Sequence, residues 1–126
     1  MKEEHHRDSI LVVDDDPIAR LIIEQNLKLA QIDNEILSAE NGRDALNIIK
    51  STKPKIVLLD LNMPVMNGFD LLDSMNEQSI ETNVYIITSS TLQNDRKKSY
   101  RYKSVKGFFE KPINKTDIEL VKKSLK

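Results

Sequence analysis

Five side chains in this sequence have the types and positions to do chemistry, and each follows a short apolar run. "LVVDDDP" sets Asp14 and Asp15 behind Leu11, Val12 and Val13. "IVLLDLNMP" sets Asp60 behind four aliphatic residues, "VYIIT" ends at Thr88, and "GFFEKP" brings Lys111 in before Pro112. Adjacent carboxylates repel, and desolvating one is costly. A fold gains nothing from such a cluster unless a cation sits there or a reaction uses the charge. A carboxylate beside a divalent cation, an ammonium and a hydroxyl can attack a phosphoryl group in line and hold it as an acyl phosphate. Asp60 is the candidate nucleophile. Read structurally, Asp60 is instead a helix cap or turn residue, and Thr88 one more threonine at a strand end.

These residues act together only if the fold gathers them. Short apolar runs at 10–13, 35–39, 55–60, 83–88 and 106–111 read as strands. Between and after them, 17–29, 43–51, 67–77, 92–103 and 114–126 read as helices. Five strand–helix repeats predict a parallel sheet covered on both faces, and near-continuous apolar strands fit that burial. In strand order 2-1-3-4-5 the first and third strands are neighbours where the order reverses, the usual ligand edge of an open α/β sheet. Asp14, Asp15 and Asp60 then converge there, with Thr88 and Lys111 alongside. Asp16 precedes Pro17 and has a structural task as a helix cap.

Local signals fill in the helices. The first is expected to carry Ile18, Leu21, Ile22 and Leu29 on one stripe, and the second Ala45, Leu46 and Ile49 inward. Asn41-Gly42 reads as a turn. Asn67 is a plausible cap. Asn114 with Asp117 resembles a capping box, and Ile118, Val121 and Leu125 face the core. Three converging carboxylates call for a hard divalent ion with oxygen ligands, Mg²⁺ first and Mn²⁺ as an alternative. The chain has no cysteine and its two histidines lie near the start, which disfavours zinc and removes disulfide and thiolate chemistry.

With 126 residues and a formal net charge of −1, the chain is one ordinary domain without a global field for nucleic acid or an anionic membrane. Residues 1–8 read as a flexible, polar tail in which His5 and His6 are solvated, and 9–126 as the domain. No run approaches the roughly 20 apolar residues of a membrane helix. The expectation is a soluble, cytoplasmic protein.

From about Ser9 to Leu125 the sequence resembles the receiver domain of two-component response regulators, of the single-domain chemotaxis type. "LVVDDDP" is similar to the family's acidic pair, "IVLLDLNMPVMNGFDLL" to its phosphorylation segment, "IITSS" to its switch hydroxyl and "FFEKPI" to its lysine; "NGRDAL" is similar to the usual start of the second helix. The resemblance implies a flavodoxin-like (βα)5 doubly wound fold. It implies a phosphoacceptor signalling protein rather than an enzyme, acting alone. Asp60 would accept a phosphoryl group from a histidine kinase or phosphotransfer protein, with Thr88 and Lys111 on the phosphoryl oxygens. Asp15 and Asp60 would hold Mg²⁺ by side chain, Asn62 by its backbone carbonyl and Asp14 through water. Ser89 is small, as phosphoryl access requires, and Asn62 and Ser90 would tune autodephosphorylation. The Lys111-Pro112 bond is expected to be cis.

Two features depart from the family pattern. The switch aromatic, often Tyr, is Phe108, which can report state only by packing in or out. The fourth helix ends in "YKSVKG" rather than a small-residue turn, and it is expected to shift easily. Six cations lie between Arg96 and Lys106, with Tyr100 and Tyr102 among them as contacts or core anchors. A solvated face explains such a run, a partner surface does so too, and nucleic acid is a third reading; neither nucleic acid nor a membrane is the expected partner. The resemblance implies a downstream protein target on the 92–125 face. Two other readings are weighed: a receiver fold used as an unphosphorylated scaffold, and a haloacid-dehalogenase-type phosphatase. The latter wants a second acid where this chain has Asn62.

Overall fold

The structure, a computed structural model, describes residues 8–63, 65–89 and 93–125. Five strands, β1 (Ile10–Val13), β2 (Ile36–Ala39), β3 (Ile56–Leu59), β4 (Asn83–Thr88) and β5 (Val105–Glu110), form one sheet in the order β2-β1-β3-β4-β5. Every pairing is parallel. The connecting helices are α1 (Pro17–Leu29), α2 (Gly42–Thr52), α3 (Gly68–Glu77) and α4 (Gln93–Ser99), and α5 (Lys115–Ser124) closes the series. This is the flavodoxin-like α/β fold that the resemblance implies, with the parallel sheet expected from the alternation.

Alternate strand residues point to opposite faces, and two cores result. Leu11, Val13, Val57, Leu59, Val84 and Ile86 pack with Ala45 and Ile49 of α2 and Leu71, Leu72 and Met75 of α3. Ile10, Val12, Ile56, Leu58, Tyr85 and Ile87 pack with Ile23 and Leu27 of α1 and Ile118 and Val121 of α5. All four residues of β1 and of β3 are buried, because neighbours flank them and helices cover both faces.

The helix starts follow their caps. Asp16 accepts from the Ile18 N–H at 3.0 Å ahead of Pro17. Asn67 with Asp70, and Asn114 with Asp117, close full capping boxes. Asn41 also caps a helix, accepting from the Asp44 N–H at 2.8 Å. "NG" therefore opens α2 and is not a free turn.

Three expectations are corrected. The stripe Ile18, Leu21, Ile22 and Leu29 faces solvent, at 66%, 52%, 46% and 81% exposure. Ile23 and Leu27, one turn apart, make the buried face instead. The fourth helix is only the seven residues of α4, followed by turns through Ser104 rather than helix to 103. Its buried residue is Ser99, so it has almost no apolar face to extend. Asp60 and Lys111 stand just past their strands rather than closing them. The expected tail residues 1–7 lie outside the described residues, as do Ser90 and Lys126.

Candidate functional site

Register puts the chemistry at one edge. Val13 pairs with Leu59 at the ends of β1 and β3, so Asp14 and Asp60 emerge as neighbours. The Asp60 N–H donates to the Val13 carbonyl at 2.9 Å, and the Asp14 N–H to Ala39 of β2 at 3.1 Å. Thr88 pairs with Glu110 at the ends of β4 and β5, and the Lys111 N–H donates to the Thr88 carbonyl at 2.9 Å.

Asp14, Asp15 and Asp60 offer carboxylate oxygens within 4.8 Å of one another. Asp14 is 1% exposed and Asp60 6%, while Asp15 faces solvent. The Lys111 ammonium lies 2.6 Å from Asp14 Oδ2 and 3.4 Å from Asp60 Oδ2. The second Asp14 oxygen accepts the Asp16 N–H at 2.9 Å. Thr88 is fully buried at the end of β4. Asn62 stands two residues beyond Asp60, with its backbone N–H 3.4 Å from Asp60 Oδ1. Phe108 is buried on β5, opposite Ile86. The Lys111-Pro112 bond is cis.

The electrostatics are uneven. Burial is the main influence on Asp60, and with the Asp14 charge it holds the Asp60 carboxyl above its ordinary value, against the pull of Lys111 and the Asn62 N–H. Burial works against the Lys111 charge, but the Asp14 hydrogen bond and both carboxylates outweigh it and hold that ammonium above the usual lysine value. Three carboxylates and one ammonium carry a formal charge of −2, which a divalent cation balances. The donors are hard oxygens, so the set fits Mg²⁺ or Mn²⁺. The cluster could hold such an ion.

Close backbone contacts position Asp60. A Cβ on Gly68 would stand 2.8 Å from the Asp60 carbonyl oxygen, and one on Gly42 2.4 Å from that of Met66. Only glycine lets α2 and α3 start this close to the segment after β3. Arg20, which the sequence reading did not single out, donates to the Asp14 carbonyl at 2.5 Å. The available signal was its place one turn into the helix behind the acidic run.

Residues 10–122 match the response regulator receiver domain family. The chain belongs to that family. Receivers are phosphoacceptor signalling modules rather than conventional enzymes, and this one carries the acidic pocket of Asp14, Asp15 and Asp60 with Lys111, consistent with phosphorylation on aspartate. Among curated relatives, the nitrate/nitrite response regulator NarL of Escherichia coli K12 is 33% identical over 87 residues. That match covers 69% of this chain and 40% of NarL. The autoinducer 1 sensor kinase/phosphatase LuxN of Vibrio campbellii is 31% identical over 104 residues, 82% of this chain and 12% of LuxN. The chain thus spans less than half the length of either relative. Among solved structures, the receiver domain of a putative Luxo repressor protein from Vibrio parahaemolyticus is 32% identical with a TM-score of 0.85, covering 94% of this chain and 90% of that one. The chemotaxis protein CheY4 of Vibrio cholerae is 25% identical with a TM-score of 0.79, covering 94% and 98%.

Proposed function

We propose that this receiver accepts a phosphoryl group from a phosphohistidine of a kinase or phosphotransfer protein onto Asp60, and that the acyl phosphate alters a surface read by a protein target. The observation that carries the reading is the Lys111 ammonium set between Asp14 and Asp60 in a buried acidic pocket. One Asp60 oxygen attacks phosphorus in line, the phosphorus–imidazole nitrogen bond breaks, and its electron pair stays on the leaving imidazole. Lys111 and the Thr88 hydroxyl then take the phosphoryl oxygens. Asp15 and Asp60 by side chain, Asn62 by its carbonyl and Asp14 through water would hold Mg²⁺. The ion, when bound, supplies charge neutralisation for the carboxylates and the equatorial oxygens.

A donor must bring its phosphohistidine to this edge. The exposed Ile18 and Ile22 of α1 lie beside it on an apolar cleft of about 270 Å³ that Ile87, Pro112 and Ile113 also line, with Asp16 and Lys111 on its wall, and Leu21 is exposed on the same helix. These residues suit the apolar face of a donor helix. The target reads the 92–125 face, with Thr88 and Phe108 as the switch. We place the protein in the cytoplasm. Among the described residues no helix is long and apolar enough to cross a membrane.

Borohydride reduction after phosphorylation tests the acceptor, because it converts an aspartyl phosphate to homoserine. The reading expects homoserine at position 60 in the digested protein. Homoserine elsewhere, or none after demonstrated phosphoryl uptake, contradicts it.

A further inference from the structure

The charge of this chain is divided sharply. Residues 96–106 hold six of its 19 basic residues and none of its 20 acidic ones. The other 115 residues therefore carry 13 cations against 20 anions. Part of the basic run has a local explanation. Arg96, Lys97 and Lys98 occupy the last turn of α4, where the helix dipole favours cations. Arg96 also lies over the Phe108 ring, 5.8 Å from its centroid, and Lys98 over Phe69 at 4.2 Å. Arg101, Lys103 and Lys106 lie past the last residue of the helix. They are exposed, as is Lys97, and none of the four has an ion-pair partner among the described residues.

We propose that Lys97, Arg101, Lys103 and Lys106 bind an acidic segment of a protein partner. This rests on the reading of residues 92–125 as the partner face and adds the chemistry of the partner. Charge complementarity selects the occupant. A seven-residue helix is only about 10 Å long, and acidic groups stand close by: Asp73 accepts from the Tyr102 hydroxyl, and Glu81 shares a pocket with Lys103 and Lys106. A short acidic peptide meets the cations alone, whereas a duplex laid across them meets the surrounding anions as well. The patch also connects to the phosphorylation edge. Phe108, under Arg96, pairs with Ile86, two residues before Thr88 on β4. A partner that attracts Arg96 draws it off that ring.

The test uses a fluorescein-labelled peptide of four Glu-Glu-Leu-Ala repeats, with a Gln-Gln-Leu-Ala version as control, and follows anisotropy on the full chain. The glutamate peptide is expected to bind, with about tenfold weaker affinity in the triple variant K97E/R101E/K103E. The variant K28E/R43E/K50E, which reverses three exposed cations elsewhere, is expected to stay within about twofold. Thermal melts establish that both variants fold. Equal affinity in the K97E/R101E/K103E variant, equal binding of the glutamine peptide, or tighter binding of a 20-base-pair duplex overturns the proposal. Phosphoryl uptake is measured on the same samples. Lost uptake with retained peptide binding removes the phosphoacceptor reading alone, and the reverse removes this one alone.

Discussion

The surroundings of Asp60 disfavour its charged form. Burial, followed by the Asp14 charge, raises its pKa above the ordinary aspartate value, so the protonated form is the one the fold favours. Its stability contribution is complete below the unfolded pKa and is lost as pH rises through the folded one. At neutral pH without divalent metal, Asp60→Asn should therefore melt a few degrees higher than wild type, where about 1 kcal/mol corresponds to roughly 4 °C. The gap should close on acidification, and scanning calorimetry at two pH values measures it. Tyr102 offers a second titration. Burial and its 2.5 Å hydrogen bond to Asp73 push its phenol up to about 12. The neutral phenol is the form the fold favours, so this contribution holds below pH 10 and fades as pH rises toward 12. At pH 11, NMR of Cζ-labelled tyrosine should find Tyr102 mostly protonated in wild type and more ionised in Asp73→Asn, since burial still acts on it there.

At the scale of elements, α1 departs most from its sequence reading. It carries Ile18, Ala19, Leu21, Ile22, Ile23, Leu27 and Leu29, aliphatic residues on several sides, so periodicity alone offers more than one inward face. The sheet selects Ile23 and Leu27. The stripe left outside beside the phosphorylation edge leads to an element-scale prediction. Replacing Ile18, Leu21 and Ile22 together with serine should slow transfer from a phosphorylated protein donor about tenfold or more, with the fold intact. Transfer from acetyl phosphate should stay unchanged, because a small donor needs no docking face. Quench-flow comparison of the two donors separates the effects, and equal slowing of both contradicts the docking role. For α4, the sequence does not show the stacking of Arg96 and Lys98, since their rings lie on β5 and α3.

At the scale of the whole molecule, the strands were the readable part. Runs such as "ILVV" and "IVLL" are buried on both faces, so their composition alone marks them, and alternation with helices sets their parallel order. The carboxylates and Lys111 were readable because each follows such a run, and a parallel sheet brings its strand ends to one edge. The burial of Asp14 depends on contacts across the chain that no local pattern carries, whereas the support from Arg20 is six residues away and was within reach of a local reading. The central claim is that this edge makes an acyl phosphate. The most direct test is intact mass after incubation with acetyl phosphate and Mg²⁺. The account predicts one added phosphoryl group in wild type, absent in Asp60→Asn and absent with EDTA. An adduct that persists in Asp60→Asn, or no adduct together with no beryllofluoride binding, would contradict it.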